Sequence, residues 1–267
     1  MNDGPVGVFD SGVGGLSVLA GIRRELPAEH LLYVADSAHV PYGDKPVAFI
    51  EQRSLAIAEF LVAQGAKALV VACNTATSAA AAALRARFTV PVVAIEPAVK
   101  PAAALTRSGV VAVLATAATL AGERYAGLVS RYGSGVRVLE QACGGWVEQV
   151  ESGDLDGPFA RARVEAVLAP LLAQGADVLV LGCTHFPFLA PLVREVCDGL
   201  GGEAVQVVEP APAVARELRR RLAEGGLLNA AEPARGSVRA WSGADPQVAH
   251  AQFQRLLGEP VEVSPLP

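Results

Sequence analysis

Two cysteines stand in matching surroundings. Gln64-Gly65-Ala66 leads into Ala68-Leu69-Val70-Val71-Ala72-Cys73, and Gln174-Gly175-Ala176 leads into Val178-Leu179-Val180-Leu181-Gly182-Cys183. Polar residues follow each at once, Asn74-Thr75 after the first and Thr184-His185 after the second. A thiol at the C-terminal end of a buried parallel strand lies where open α/β sheets bind their ligands. Just before a helix it also meets unpaired backbone N–H groups and the positive end of the macrodipole. Both effects favour the thiolate, so each cysteine is placed to act as an acid or a base. One such group on either side of a substrate could invert a carbon centre, one removing a proton from one face and the other returning a proton to the opposite face. The rival chemistry is a single nucleophilic cysteine with a histidine base. His185 would serve it, but Cys73 would then have no part. Cys143 and Cys197, the other two of the four cysteines, lack such neighbours and read as buried space-filling side chains.

Other candidate groups also fall at expected strand ends. Asp10-Ser11-Gly12-Val13-Gly14-Gly15 follows the first apolar run, and its glycines would let backbone approach a ligand at a helix N-terminus. Read as G-x-G-x-x-G it fails at Ser17, although Asp36 lies about where a ribose-binding acid would stand, so a dinucleotide site remains a rival. Asp10 is alternatively available to orient an ammonium group or to support Cys73. Pro41-Tyr42-Gly43 forms a rigid turn near Asp36-Ser37. Tyr42 is either a surface turn residue or a ligand contact through its backbone and hydroxyl. Thr116 and Thr119 close the run at 110–115 and could bind a carboxylate or cap the next helix.

These positions require a particular scaffold. Strand-like apolar runs alternate with helix-period segments, the α/β pattern. Strands are expected over 6–10, 31–35, 68–72, 90–95 and 110–115. Helices are expected from the glycine-rich turn to Glu25, over 47–64 with Gly65 as C-cap, and over 78–88. A helix is also expected after Cys183. Downstream of each cysteine unit the tripeptide Glu-Pro-Ala recurs, at Glu96-Pro97-Ala98 and Glu209-Pro210-Ala211. Two long repeats fit two similar lobes rather than a solenoid. The expected fold is therefore α/β: two pseudo-symmetric Rossmann-like or flavodoxin-like lobes with mainly parallel sheets and the active site in the cleft between them. The first lobe takes 1–97 and the second 98–210. The tail, 211–267, holds a helix (213–223), a strand (238–242), a helix (246–257) and a short strand (261–263), and should pack back on the first lobe.

Bulk properties exclude several classes. The chain of 267 residues is 52% hydrophobic and 18% charged, which is globular rather than disordered. A net charge of −5 recommends neither nucleic acid nor an anionic membrane as partner. The runs at 66–71 and 110–120 fall short of the roughly 18–20 residues a membrane helix needs. The opening MNDGPVGVFDSG lacks the features of a secretory signal. Reduced thiols in the cytoplasm are the expectation.

Taken together, these motifs resemble the bacterial glutamate racemases. VGVFDSGVGGLSVL (6–19), YVADSAHVPYGDK (33–45), VVACNTATSAA (70–80), VVAIEPAVKPA (92–102), VLATAATL (113–120) and LVLGCTHFPFL (179–189) carry the resemblance in order and spacing, and the tail matches more weakly. The resemblance implies a cofactor-independent enzyme that interconverts L- and D-glutamate, with no pyridoxal phosphate, flavin or metal. It also implies supply of D-glutamate to peptidoglycan precursors. Cys73 and Cys183 would be the two proton donor/acceptors, Asp10 assisting the first and His185 with Glu151 the second. Substrate contacts would fall at Asp10, Ser11, Tyr42, Gly43, Asn74, Thr75, Thr184 and His185. Family members often carry a C-P-L-F-V-P-L-V-E-like stretch; here it reads Cys143-Gly144-Gly145-Trp146-Val147-Glu148-Gln149-Val150-Glu151, which aligns Glu151 with the family glutamate. Thr184-His185 favours glutamate over aspartate, because aspartate racemases resemble C-T-E there. Oligomeric state varies in the family, a homodimer being one form.

Overall fold

Short apolar runs without polar alternation become parallel strands buried on both faces. In the computed structural model, which describes residues 4–202, 204–229 and 235–267, the chain begins β1 (Val6–Asp10), α1 (Leu16–Glu25), β2 (Leu31–Ala35), α2 (Val47–Ala63), β3 (Ala68–Val71), α3 (Asn74–Arg87) and β4 (Val92–Ala94). It continues with α4 (Val99–Leu105), β5 (Val110–Ala115), α5 (Ala117–Leu120), α6 (Glu123–Tyr132) and β6 (Arg137–Ala142). Next come α7 (Trp146–Ser152), α8 (Pro158–Ala173), β7 (Val178–Leu181), α9 (Ala190–Gly199) and β8 (Gln206–Val208). It closes with α10 (Ala211–Glu224), β9 (Val238–Ser242), α11 (Pro246–Leu257) and β10 (Val263–Pro265).

Two units result, Met1–Ile95 with Ala211–Pro267, and Glu96–Pro210. The sheet of the first has the order β10-β9-β2-β1-β3-β4, and that of the second β6-β5-β7-β8. Every pairing is parallel. Setting β9 and β10 aside, the two sheets are wound alike, so the sequence repeat is a repeat of topology. In such winding the strand order reverses beside the first strand, opening a crevice at the carboxyl ends. That crevice lies between β1 and β3 in one unit and between β5 and β7 in the other. Each has its own core: Phe9, Val34, Ile57, Leu69 and Val71 pack in the first, Val111, Val113, Val178 and Val180 in the second.

The tail extends the first sheet by pairing β9 with β2, Leu31 opposite Val238. At the amino end of that sheet Lys67 forms a buried ion pair with Glu29 at 2.7 Å, and Lys67 also donates to Asn229 at 2.7 Å.

Several boundaries differ from expectation. The helix α3 begins at Asn74, four residues before the expected start, because Cys73 itself is the cap and no Ser or Thr is needed. After Cys183 no α-helix follows directly: a 3-10 turn, Phe186–Leu189, precedes α9. Pro187 at the start of that turn and Pro191 in the first turn of α9 each lack an N–H, so neither can donate a backbone bond to the residues around Cys183. The fourth strand is confined to Val92–Ala94, and the last lies at Val263–Pro265, where Val263 pairs with Ala240. Among the described residues no helix is long and apolar enough to cross a membrane.

Candidate active site

At the carboxyl end of the first sheet the turn after β1 closes around a carboxylate. Asp10 accepts from Gly12 N at 3.0 Å and from Ser11 Oγ at 3.1 Å, while Tyr33 donates to Gly12 O at 2.7 Å. Gly15 makes this closeness sterically feasible: a Cβ there would stand 2.6 Å from Asp10 Cβ and 2.7 Å from the Tyr33 hydroxyl. Across the crevice Cys73 caps α3, its Sγ accepting from Ala76 N at 3.4 Å. The thiol also donates to Ser11 Oγ at 3.7 Å. Cys73, Ser11 and Asp10 thus form one buried path from thiol through hydroxyl to carboxylate. Beside it, both amide atoms of buried Asn74 have no hydrogen-bond partner among the described residues. Leaving such a group unpartnered costs roughly 1–3 kcal/mol, a penalty that a polar ligand would relieve. Thr75 is buried next to it.

Tyr42 is not a surface turn residue. It is buried, and its hydroxyl gives its proton to Asp36 at 2.6 Å. Asp36 also receives a fork from Arg53, at 3.0 and 2.6 Å, and meets His39 at 3.1 Å. Burial works to raise the Asp36 carboxyl, but the bonds from Arg53, Tyr42 and His39 outweigh it and hold the group below the usual carboxylate range. Burial and the Asp36 charge push the Tyr42 hydroxyl far up, with Cys73 adding to the effect, so it stays a phenol. With its carboxylate committed to Arg53 and Tyr42, Asp36 is unsuited to the ribose role, which weakens the dinucleotide reading. Gly43 lies within the 3-10 turn Tyr42–Asp44.

The second unit builds its carboxyl end differently. Cys183 Sγ is 3.8 Å from His185 Nδ1, and His185 Nε2 is 2.8 Å from Glu151 Oε1. Burial opposes a charge on His185, but the bonds to Cys183 and Glu151 outweigh it and raise the imidazole well above its ordinary range. Glu151 is delivered by α7, whose first residue, Trp146, is fully buried and meets Phe186 edge-on at 4.9 Å between centroids. Such a pair is worth about 0.5–1.5 kcal/mol beyond its buried area. It fastens the helix that carries Glu151 to the residue that follows His185. Thr184 is buried between the two functional neighbours. At the end of β5, Thr116 accepts from Thr119 N at 3.2 Å and their hydroxyls are 2.9 Å apart, so Thr116 is a helix cap.

The two remaining cysteines stay neutral. Cys143 donates to Gln141 O at 3.5 Å, and burial, followed by the nearby Cys183 charge, raises its pKa. Burial and Asp198 push Cys197 up to about 11. Among the described residues no group of three or more His, Cys, Asp and Glu side chains could hold a metal ion.

The structure therefore gathers Asp10, Ser11, Tyr42, Gly43, Cys73, Asn74 and Thr75 at the carboxyl end of one sheet. It gathers Thr116, Thr119, Glu151, Cys183, Thr184 and His185 at that of the other. Sequence reasoning missed Arg53 as the anchor of Asp36 and Trp146 as the anchor of α7. Asp36 was visible at the end of β2, but nothing local names its partner.

A model of the Asp/Glu/Hydantoin racemase family matches residues 6–218. A glutamate racemase of Methylococcus capsulatus is 53% identical over 266 residues, covering 100% of this chain and 96% of the relative. The crystal structure of glutamate racemase isoform RacE1 from Bacillus anthracis superposes with a TM-score of 0.88 at 32% identity, over 99% of this chain and 97% of that one. The glutamate racemase of Francisella tularensis in complex with D-glutamate gives 0.85 at 26% identity, over 100% and 98%. The chain belongs to the Asp/Glu/hydantoin racemase family and, within it, to the glutamate racemases, which makes it an isomerase.

Proposed function

We propose that the protein interconverts L- and D-glutamate without a cofactor, Cys73 and Cys183 working on opposite faces of the α-carbon. In one direction a thiolate takes the α-proton and becomes a thiol, leaving the electron pair on the carbon and its carboxylate. The opposing thiol then protonates the other face and becomes the thiolate. In the reverse direction the roles exchange. Asp10, through Ser11, holds the proton balance of Cys73; His185 and Glu151 do so for Cys183. Asn74, Thr75, Thr184 and the backbone around Ser11, Tyr42 and Gly43 bind the substrate, with Thr116 and Thr119 beside them.

One observation carries this reading: β3 and β7 are equivalent strands of two sheets wound alike, a cysteine stands just beyond the end of each, and each cysteine has its own path to a carboxylate. Glutamate as substrate rests on the relatives, one of which is in complex with D-glutamate. The product would serve peptidoglycan precursor synthesis in the cytoplasm. A pyridoxal-phosphate route would need an available lysine. Of the only three, Lys67 is paired with Glu29, Lys100 lies over the Tyr132 ring at 5.5 Å and Lys45 is exposed beside a turn. No aldimine absorbance band is expected.

Circular dichroism with each glutamate enantiomer tests the activity. Elimination from a glutamate carrying a leaving group at Cβ tests the mechanism, because it needs a base on one face only. Cys73→Ser and Cys183→Ser should each retain elimination from one enantiomer and lose it from the other, with opposite preferences. Loss from the same enantiomer in both variants would sink the two-base reading.

A further inference from the structure

The run before Glu151 departs from the family's usual stretch, and the structure shows what the departure does. Gly145 has a φ of +80°, a backbone conformation L side chains rarely adopt. The Arg163 guanidinium lies over it, in the space a Cβ would take. The turn starts α7 so that Trp146 enters the core, fully buried, with its ring edge-on to Phe186. Phe186 directly follows His185 and returns its backbone N–H to Cys183 O at 3.1 Å. At the other end of the same short helix Gln149 donates to the Asp154 carboxylate at 2.6 Å and to its carbonyl at 2.9 Å, so α7 is held at both ends. The buried indole N–H has no hydrogen-bond partner among the described residues. Tryptophan is therefore used here for its ring and not for its polar handle.

The geometry points to Trp146 as a positioning residue for the second acid/base group: packed on Phe186, it sets α7 so that Glu151 meets His185 and His185 meets Cys183. This rests on the two-base reading and extends it to a residue that touches no substrate. Its action is one-sided. The hydrogen bonds of the Cys73–Ser11–Asp10 path are made at the turns after β1 and β3, so chemistry begun by Cys183 should suffer when Trp146 is truncated and chemistry begun by Cys73 should not.

The test is elimination from each enantiomer of the Cβ-substituted glutamate, with Cys73→Ser and Cys183→Ser as references. In Trp146→Ala the reaction that Cys183→Ser abolishes should fall about 10-fold, the scale of a small misplacement of a reacting group. The reaction that Cys73→Ser abolishes should stay within about twofold. Trp146→Phe should restore most of the loss, since a phenyl ring still meets Phe186 although one fused ring and its N–H disappear. In a Glu151→Gln background Trp146→Ala should add little further loss, because both act through His185. If Trp146→Ala fails to fold, Phe186→Leu, which keeps bulk and removes the ring edge, should show the same one-sided loss. Equal losses on both enantiomers, with the cysteine variants still of opposite preference, would overturn the role of Trp146 alone. Cysteine variants lacking opposite preferences would overturn both readings.

Discussion

Cys73 and Cys183 end equivalent strands, yet their surroundings differ in kind. Cys73 caps α3 directly and reaches its carboxylate through Ser11, the neighbour of Asp10. These hydrogen bonds come from two strand ends and the turns that follow them. Cys183 precedes a 3-10 turn and reaches its carboxylate through an imidazole, with Glu151 supplied by a separate helix. The fold repeats where a cysteine stands; it does not repeat how that cysteine is linked to a carboxylate. A hydroxyl relay between buried neutral or anionic groups asks little of distant elements. A charged imidazole needs a counter-carboxylate, and that carboxylate must be packed into place.

The comparison breaks most directly at the thiols themselves. Cys73→Ser and Cys183→Ser should each lower interconversion in both directions by about 10³-fold, within the range of general acid–base catalysis and equal to about 4 kcal/mol of barrier. A variant that kept full racemase activity would remove its cysteine from the mechanism. One step out, Asp10→Asn and His185→Asn should each cost about 10²-fold in kcat/KM. Only His185→Asn should displace the pH profile strongly, because its ring is the group with the raised pKa. Similar displacement by both variants would mean the two halves are supported in the same way.

Stability sharpens the contrast further. The folded pKa of His185 is raised, so its contribution is fully present below the unfolded value of about 6.5 and is lost as pH rises through the folded value. Glu151→Gln should therefore cost about 2 kcal/mol near pH 6. The gap to the parent should close at alkaline pH, as read from denaturant midpoints across the range. A gap that grew with pH would show that Glu151 does not act through a protonated His185. Smallest is the cap: Thr116→Ala should cost about 1 kcal/mol with no preference between enantiomers in elimination. A large loss of activity without loss of stability would return Thr116 to the substrate.

Much of this was legible in the chain itself. The apolar runs, the glycine-rich turn after β1 and the paired Gln-Gly-Ala units marked the strands, and their repetition marked two sheets of like winding. Asp10, Ser11, Cys73 and Cys183 were visible because each stands at a strand end, and strand ends are local events. The start of α3 was read four residues late, since a cysteine is an unusual cap and an alanine-rich stretch hides its first turn. The helix expected after Cys183 begins only after a 3-10 turn, with a proline at the start of each.

By itself the sequence determined where the reactive groups lie along each sheet, because strand periodicity, glycine turns and proline breaks act over a few residues. Tertiary structure alone decided which groups meet. Glu151 reaches His185 across 34 residues, carried by the helix whose Trp146 packs on Phe186. The Tyr42 hydroxyl turns to Asp36, held there with Arg53, while the amide of Asn74 has no hydrogen-bond partner among the described residues. Such pairings are set by the packing of elements far apart in the chain, where shape and burial choose the partner and no local pattern encodes it.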